Sequence, residues 1–80
     1  MDANNKKKAI EKCKEIISNV DKKYRKYLTK AVKLHNRSIK VGKDNFIISA
    51  YHDANFHDVN IELIYRDEIG SGLEVFSTKL

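Results

Sequence analysis

The chain has no tryptophan and no proline, one cysteine, one methionine and three glycines in 80 residues. Each shortage excludes something. A lone Cys13 permits no intrachain disulfide and makes a thiolate zinc site untenable. Without proline, any strand is free to pair along its whole length. Gly70-Ser71-Gly72 is the nearest approach to a glycine-rich loop, and no helical pattern follows it, so it is not a phosphate-cradling turn. No apolar run approaches the length of a signal peptide or a membrane span; Lys6–Lys8 lead into Ala9-Ile10 and then Glu11. These absences lead us to expect a cytoplasmic protein with no membrane association and no cofactor.

Acidic residues are scarce in one half. Residues 1–41 carry 13 Lys/Arg against 4 Asp/Glu, and residues 42–80 carry 3 against 7, so a +9 half is joined to a −4 half. A basic half attracts polyanions, acidic proteins or anionic lipid and says nothing about fold. A chain this short buries only about 60–65% of its unfolded surface, so its core is small and its binding sites must be grooves or faces.

Ile10, Cys13, Ile17, Val20, Tyr24, Tyr27, Ala31 and Leu34 recur at steps of three and four, which predicts one apolar seam on a long basic helix over residues 6–35. Ile16 and Leu28 widen the seam. Residues 1–5 are expected to fray, with Asp2 or Asn4 as the helix cap. Ser18-Asn19-Val20-Asp21 has poor helix propensity, so one helix, compatible with a kink near Asn19, is preferred, and two helices with the second starting near Asp21 are the alternative. Such a helix, about 45 Å long, would overhang a small sheet, and the overhang suggests a partner, either a second copy in a homodimer or another protein.

Beyond Asn36 the period changes to two. Ile39-Val41, Phe46-Tyr51, Val59-Arg66 and Leu73 onward read as strands, with a hairpin turn at Gly42-Asn45. The predicted fold is therefore α+β: one domain, a helix packed on an antiparallel meander of three to four strands spanning residues 38–80.

Two groups of residues are functional candidates. Lys12, Lys22, Arg25, Lys26, Lys33 and Arg37 form a basic face able to follow a phosphate backbone, or to serve only as a solvated surface. Lysine far outnumbers arginine, so base reading by guanidinium forks is not expected. His52, Asp53, His57 and Asp58 fall between the second and third strands. Paired imidazoles could share acid and base duties in a small ribonuclease, or bind a metal with the carboxylates; polar turn residues are the plainer reading. His35 is expected to complement the helix dipole as a cation.

No stretch carries a family's motif. The wealth of Lys, Asn and Ile suggests an AT-rich genome, where phages and mobile elements encode small inhibitors of host machinery, anti-CRISPR proteins among them. The expectation is a non-enzymatic inhibitor or adaptor that binds nucleic acid or a nucleic-acid-handling protein. A ribonuclease and a homo-oligomerisation module are the alternatives.

Overall fold

The computed structural model describes all residues, Met1–Leu80. Two helices precede four strands: α1 (Ala3–Lys23), α2 (Tyr27–Leu34), β1 (Ser38–Val41), β2 (Asp44–Asp53), β3 (Asp58–Arg66) and β4 (Gly72–Lys79). The strands form one antiparallel sheet in the order β1-β2-β3-β4, each paired with its sequence neighbour. The α+β meander expected from the sequence is the architecture observed.

The helical half differs from the expectation of one continuous helix. The interruption lies at Tyr24–Lys26 and not near Asn19. Tyr24 (φ −116°, ψ 131°) and Lys26 (φ −88°, ψ 131°) are both extended. Neither glycine nor proline forces this break, and tertiary burial explains it. The longest strand has 10 residues, about 34 Å at the usual antiparallel rise, and a straight helix to Leu34 would carry Ala31 and Leu34 past the sheet. Breaking the helix returns both to the core, where Leu34 is fully buried. Burying one leucine is worth about 1.5–3 kcal/mol, enough to offset a few lost helical hydrogen bonds at about 1 kcal/mol each. The apolar three-four rhythm continues across the break because both helices turn a face to the same sheet. With the overhang gone, the molecule measures 35 × 22 × 15 Å, and the geometric reason for expecting a dimer goes with it.

One ion pair fastens the two helices. Lys30 Nζ on α2 lies 2.6 Å from Asp21 Oδ1 on α1 and also rests over the Tyr27 ring, 5.4 Å from its centroid. Lys30 is 9% exposed, so its aliphatic stem belongs to the core while its charge is neutralised by Asp21.

Residues 2–5, expected to fray, are held. Asp2 is the cap: its Oδ1 accepts the Asn4 N–H at 2.7 Å and the Asn5 N–H at 3.4 Å. The Asp2 N–H and the Asn5 side-chain amide both donate to Asp44 Oδ2, at 3.0 and 3.1 Å, tying the helix start to the β1–β2 hairpin. Gly42, at the tip of that hairpin, has φ +59°, and a Cβ there would meet Asn5 Nδ2 at 3.1 Å. Glycine thus serves both the turn and the close approach of the helix.

The core follows the strand alternation. Phe46, Ile48 and Ala50 on β2 and Val59, Ile61 and Leu63 on β3 point inward to meet Ala9, Cys13, Ile17, Val20, Ala31 and Leu34 from the helices. Ile64 is the exception to the inward set; on the uncovered face it sits opposite Ile47, its register partner. Leu28, expected to widen the buried seam, is instead 63% exposed.

Candidate functional site

The helix break builds the most distinctive concavity in the molecule. Where α1 ends and α2 turns back, Lys23, Lys33 and Arg37 line a cleft of about 200 Å3 together with Tyr24. The Lys23 and Lys33 ammonium nitrogens lie 5.6 and 5.8 Å from the centroid of the same Tyr24 ring. Each such contact is worth about 0.5–1 kcal/mol at an exposed site and biases where a flexible lysine ends. The cleft lining contains no carboxylate. The two ion pairs of the chain, Lys30–Asp21 and Lys79–Asp58, involve none of its cations. Three positive groups therefore converge on one hollow with no acid to neutralise them.

A second cleft, of about 310 Å3, continues from the first along α1 and β1, sharing Ile16 and Asn19 with it. Lys12 and Lys40 supply its cations, and Glu15 is its one acid. Ser38 and Lys40 also line it, and their peptide groups face away from β2. The ladder alternates, and Ile39 pairs with Phe46 and Val41 with Asp44 on the bonded positions. The β1 edge thus presents the N–H and the C=O of Ser38 and Lys40 outward, away from β2. The two clefts form one basic trough.

Of the six residues expected on a basic face, Lys33 and Arg37 lie in the inner cleft and Lys12 in the outer one. Lys22, Arg25 and Lys26 are exposed but line neither cleft: Lys22 lies on α1 before the break, and the break takes Arg25 and Lys26 out of the helical stripe. Sequence reasoning missed Lys23, Tyr24 and Lys40. Tyr24 sits on the apolar seam and was assigned to the core, where it is in fact half-buried at the edge. Lys40 alternates with the buried Ile39 and Val41, so its outward direction was readable, but its place beside α1 was not.

The His52–Asp58 segment, expected between the second and third strands, lies partly within them. His52 and Asp53 belong to β2, Asp58 begins β3, and Asp53 and Asp58 are register partners across a tight turn. Asp53 Oδ1 accepts the Asn55 N–H at 3.0 Å, and Asp58 lies 3.9 Å from Lys79. His57 takes the left-handed conformation, φ 54°. Both imidazoles approach one ring: His52 stacks on Tyr27 at 5.8 Å and 9°, and His57 meets it at 5.9 Å and 37°. His52 Nε2 is buried without a hydrogen-bond partner, so that nitrogen meets neither solvent nor an approaching substrate. His52, Asp53, His57 and Asp58 do not gather into a group that could hold a metal ion.

Two further residues have plain structural roles. Burial pushes the Cys13 thiol up to about 11, so it is protonated and unreactive at neutral pH. His35, the C-cap of α2, has a structural part: its Nδ1 accepts the Ala50 N–H at 3.1 Å.

No helix is long and apolar enough to cross a membrane. Comparison with protein-family models, with curated proteins and with solved structures finds no match to this chain.

Proposed function

We propose that this chain is a small binding module, without catalysis of its own, that docks on the sugar–phosphate backbone of nucleic acid through the trough running from Lys12 and Lys40 to Lys23, Lys33 and Arg37. By occupying that backbone it acts as an inhibitor or adaptor for machinery that handles the same strand. The observation that carries this reading is the unneutralised charge of the inner cleft: three cations and no carboxylate around one hollow. A solvated lysine surface spreads its charges outward to lower their repulsion. Here two of them, though exposed, rest on one tyrosine ring and the third lines the same hollow, which favours an anion placed among them. Ammonium groups and backbone N–H donors recognise phosphate without reading bases, so the reading implies weak sequence selectivity.

The test is fluorescence anisotropy with a labelled mixed-sequence oligonucleotide, single-stranded and double-stranded, over a series of salt concentrations. Three to five phosphate contacts on a single strand give a log–log slope of about −2 to −3.5, and affinity falling by about 10-fold to 100-fold between 50 and 200 mM salt. Absence of binding at 50 mM salt overturns the proposal. Time-dependent cleavage of an RNA strand, abolished by His57→Ala, would replace it with the ribonuclease reading.

A further inference from the structure

We infer that the hollow formed by Lys23, Tyr24, Lys33 and Arg37 is a discrete pocket for a single phosphate group, and that Tyr24 is its positioning residue. The inference deepens the function proposed above, and rests on it for the identity of the larger ligand. It separates one built pocket from a diffuse basic surface.

Three observations point to a pocket. First, the cations come from three different places in the fold: the end of α1, the last turn of α2 and the segment entering β1. A group bound among them is enclosed from several sides, which no single helix stripe achieves. Second, the two ammonium groups are preordered. Lysine loses considerable rotamer freedom when it engages a ligand, and here two lysines already rest on one aromatic ring at 5.6 and 5.8 Å. Third, the chemistry is divided as a phosphate requires. Lys23 and Lys33 act as compact point charges, while Arg37 offers a planar fork that can donate two parallel hydrogen bonds to phosphate oxygens. The conformation leading into Arg37 is fixed on both sides. Asn36 is left-handed at φ 65°, the Arg37 N–H donates to Leu34 O at 3.2 Å, and Arg37 O accepts the Ile48 N–H at 2.8 Å. The guanidinium thus departs from an anchored backbone.

Glu15 and Asp21, the nearest acids in sequence on α1, are accounted for. Glu15 lines the outer cleft, and Asp21 is bound to Lys30. The inner hollow is therefore the most anion-selective part of the trough, and the outer cleft, with its carboxylate, is the weaker half.

The test uses inorganic phosphate and pyrophosphate as probes of the intact chain, by two-dimensional amide NMR at constant ionic strength with chloride as the reference. Phosphate is expected to move the amides of Lys23, Tyr24, Lys33 and Arg37 in one saturable process, leaving Lys43, Arg66 and Lys79 still. The double variant Lys33→Gln/Arg37→Gln, both exposed positions, should retain the wild-type spectrum elsewhere, lose the phosphate response and bind an oligonucleotide at least tenfold more weakly. Tyr24→Phe should keep the response, because the ring still carries both ammonium groups; Tyr24→Leu should reduce it severalfold. Shifts distributed over all lysines in proportion to exposure would overturn the pocket. So would a double variant with undiminished oligonucleotide affinity, and that result would leave the nucleic-acid reading standing. The opposite result, a saturable phosphate response in a chain that binds no oligonucleotide, would sustain the pocket and remove the nucleic-acid reading.

Discussion

The imidazole of His35 completes the edge of a β-sheet for Ala50. β1 reaches only as far as Ser38 opposite Ile47, and the chain before it bonds to Ile48. The next amide on β2 facing that edge belongs to Ala50, which is buried, paired with Ile61 on β3 and without a strand on the β1 side. His35 Nδ1 takes that amide's hydrogen at 3.1 Å. A side chain fifteen residues away thus substitutes for a carbonyl of the missing strand.

His35→Ala should therefore destabilise the fold by about 1–3 kcal/mol, the cost of leaving a buried donor unsatisfied. His35→Asn, whose side chain retains an acceptor, should recover part of the loss. Urea denaturation of the three proteins measures both effects, and equal midpoints would show that water satisfies Ala50 instead.

Ile17 and Leu28 are expected to part company. Ile17 is 9% exposed within the core and Leu28 is 63% exposed. Ile17→Asp should abolish the cooperative melt, because it places a charge among apolar groups in a small domain with little stability to lose. Leu28→Asp should change stability by no more than about 0.5 kcal/mol, as surface substitutions usually do. Thermal melts followed by circular dichroism decide between this and a buried Leu28.

The Lys30–Asp21 pair spans the helix break, so its loss should be felt there first. Asp21 is half exposed, and the expected penalty for Asp21→Asn is accordingly modest, about 1 kcal/mol after solvent screening. Amide hydrogen exchange around Arg25 and Tyr27 should accelerate more than exchange in β3. Uniform acceleration would mean that the pair supports the whole fold and not the junction.

Asp44 should make the domain acid-sensitive. The Asp2 backbone N–H holds its carboxyl below the usual carboxylate range, assisted by the Asn5 amide and the nearby N-terminal ammonium, against a smaller opposing cost of desolvation. A depressed carboxylate contributes stability that is complete above its unfolded-state value near 4 and is lost as pH falls through its lower folded-state value. Urea midpoints measured from pH 6 down to pH 2.5 should fall less steeply in Asp44→Asn, which has no proton to gain. Parallel curves for the two proteins would assign the acid sensitivity elsewhere.

The strands were legible because alternation is a local signal. Val59, Ile61 and Leu63 are buried as the period-two pattern predicts, and the Gly42 turn falls within the expected hairpin. The break at Tyr24–Lys26 was not legible, since nothing in Tyr24-Arg25-Lys26 forbids a helix. What ends the helix is the length of a sheet that lies later in the chain. The candidate site inherits that difficulty. Lys33 and Arg37 were picked out by charge, but their meeting with Lys23 over Tyr24 exists only because α2 turns back. Conversely, Lys26 looked equivalent to Lys12 on a continuous helix and is separated from it by the same break.

The strand order has a kinetic consequence. Because β1, β2, β3 and β4 pair only with their neighbours in sequence, the sheet can zip outward from the short β2–β3 turn, closing one small loop at a time. The helices reach the sheet where α2 settles against β2 and β3 and α1 against β1, β2 and β4, so the docking of the helical half is the step that must search. A chain without proline has no slow peptide-bond isomerisation to interrupt that search. Refolding is then governed by how soon the amphipathic N-terminal segment finds a sheet that has already formed.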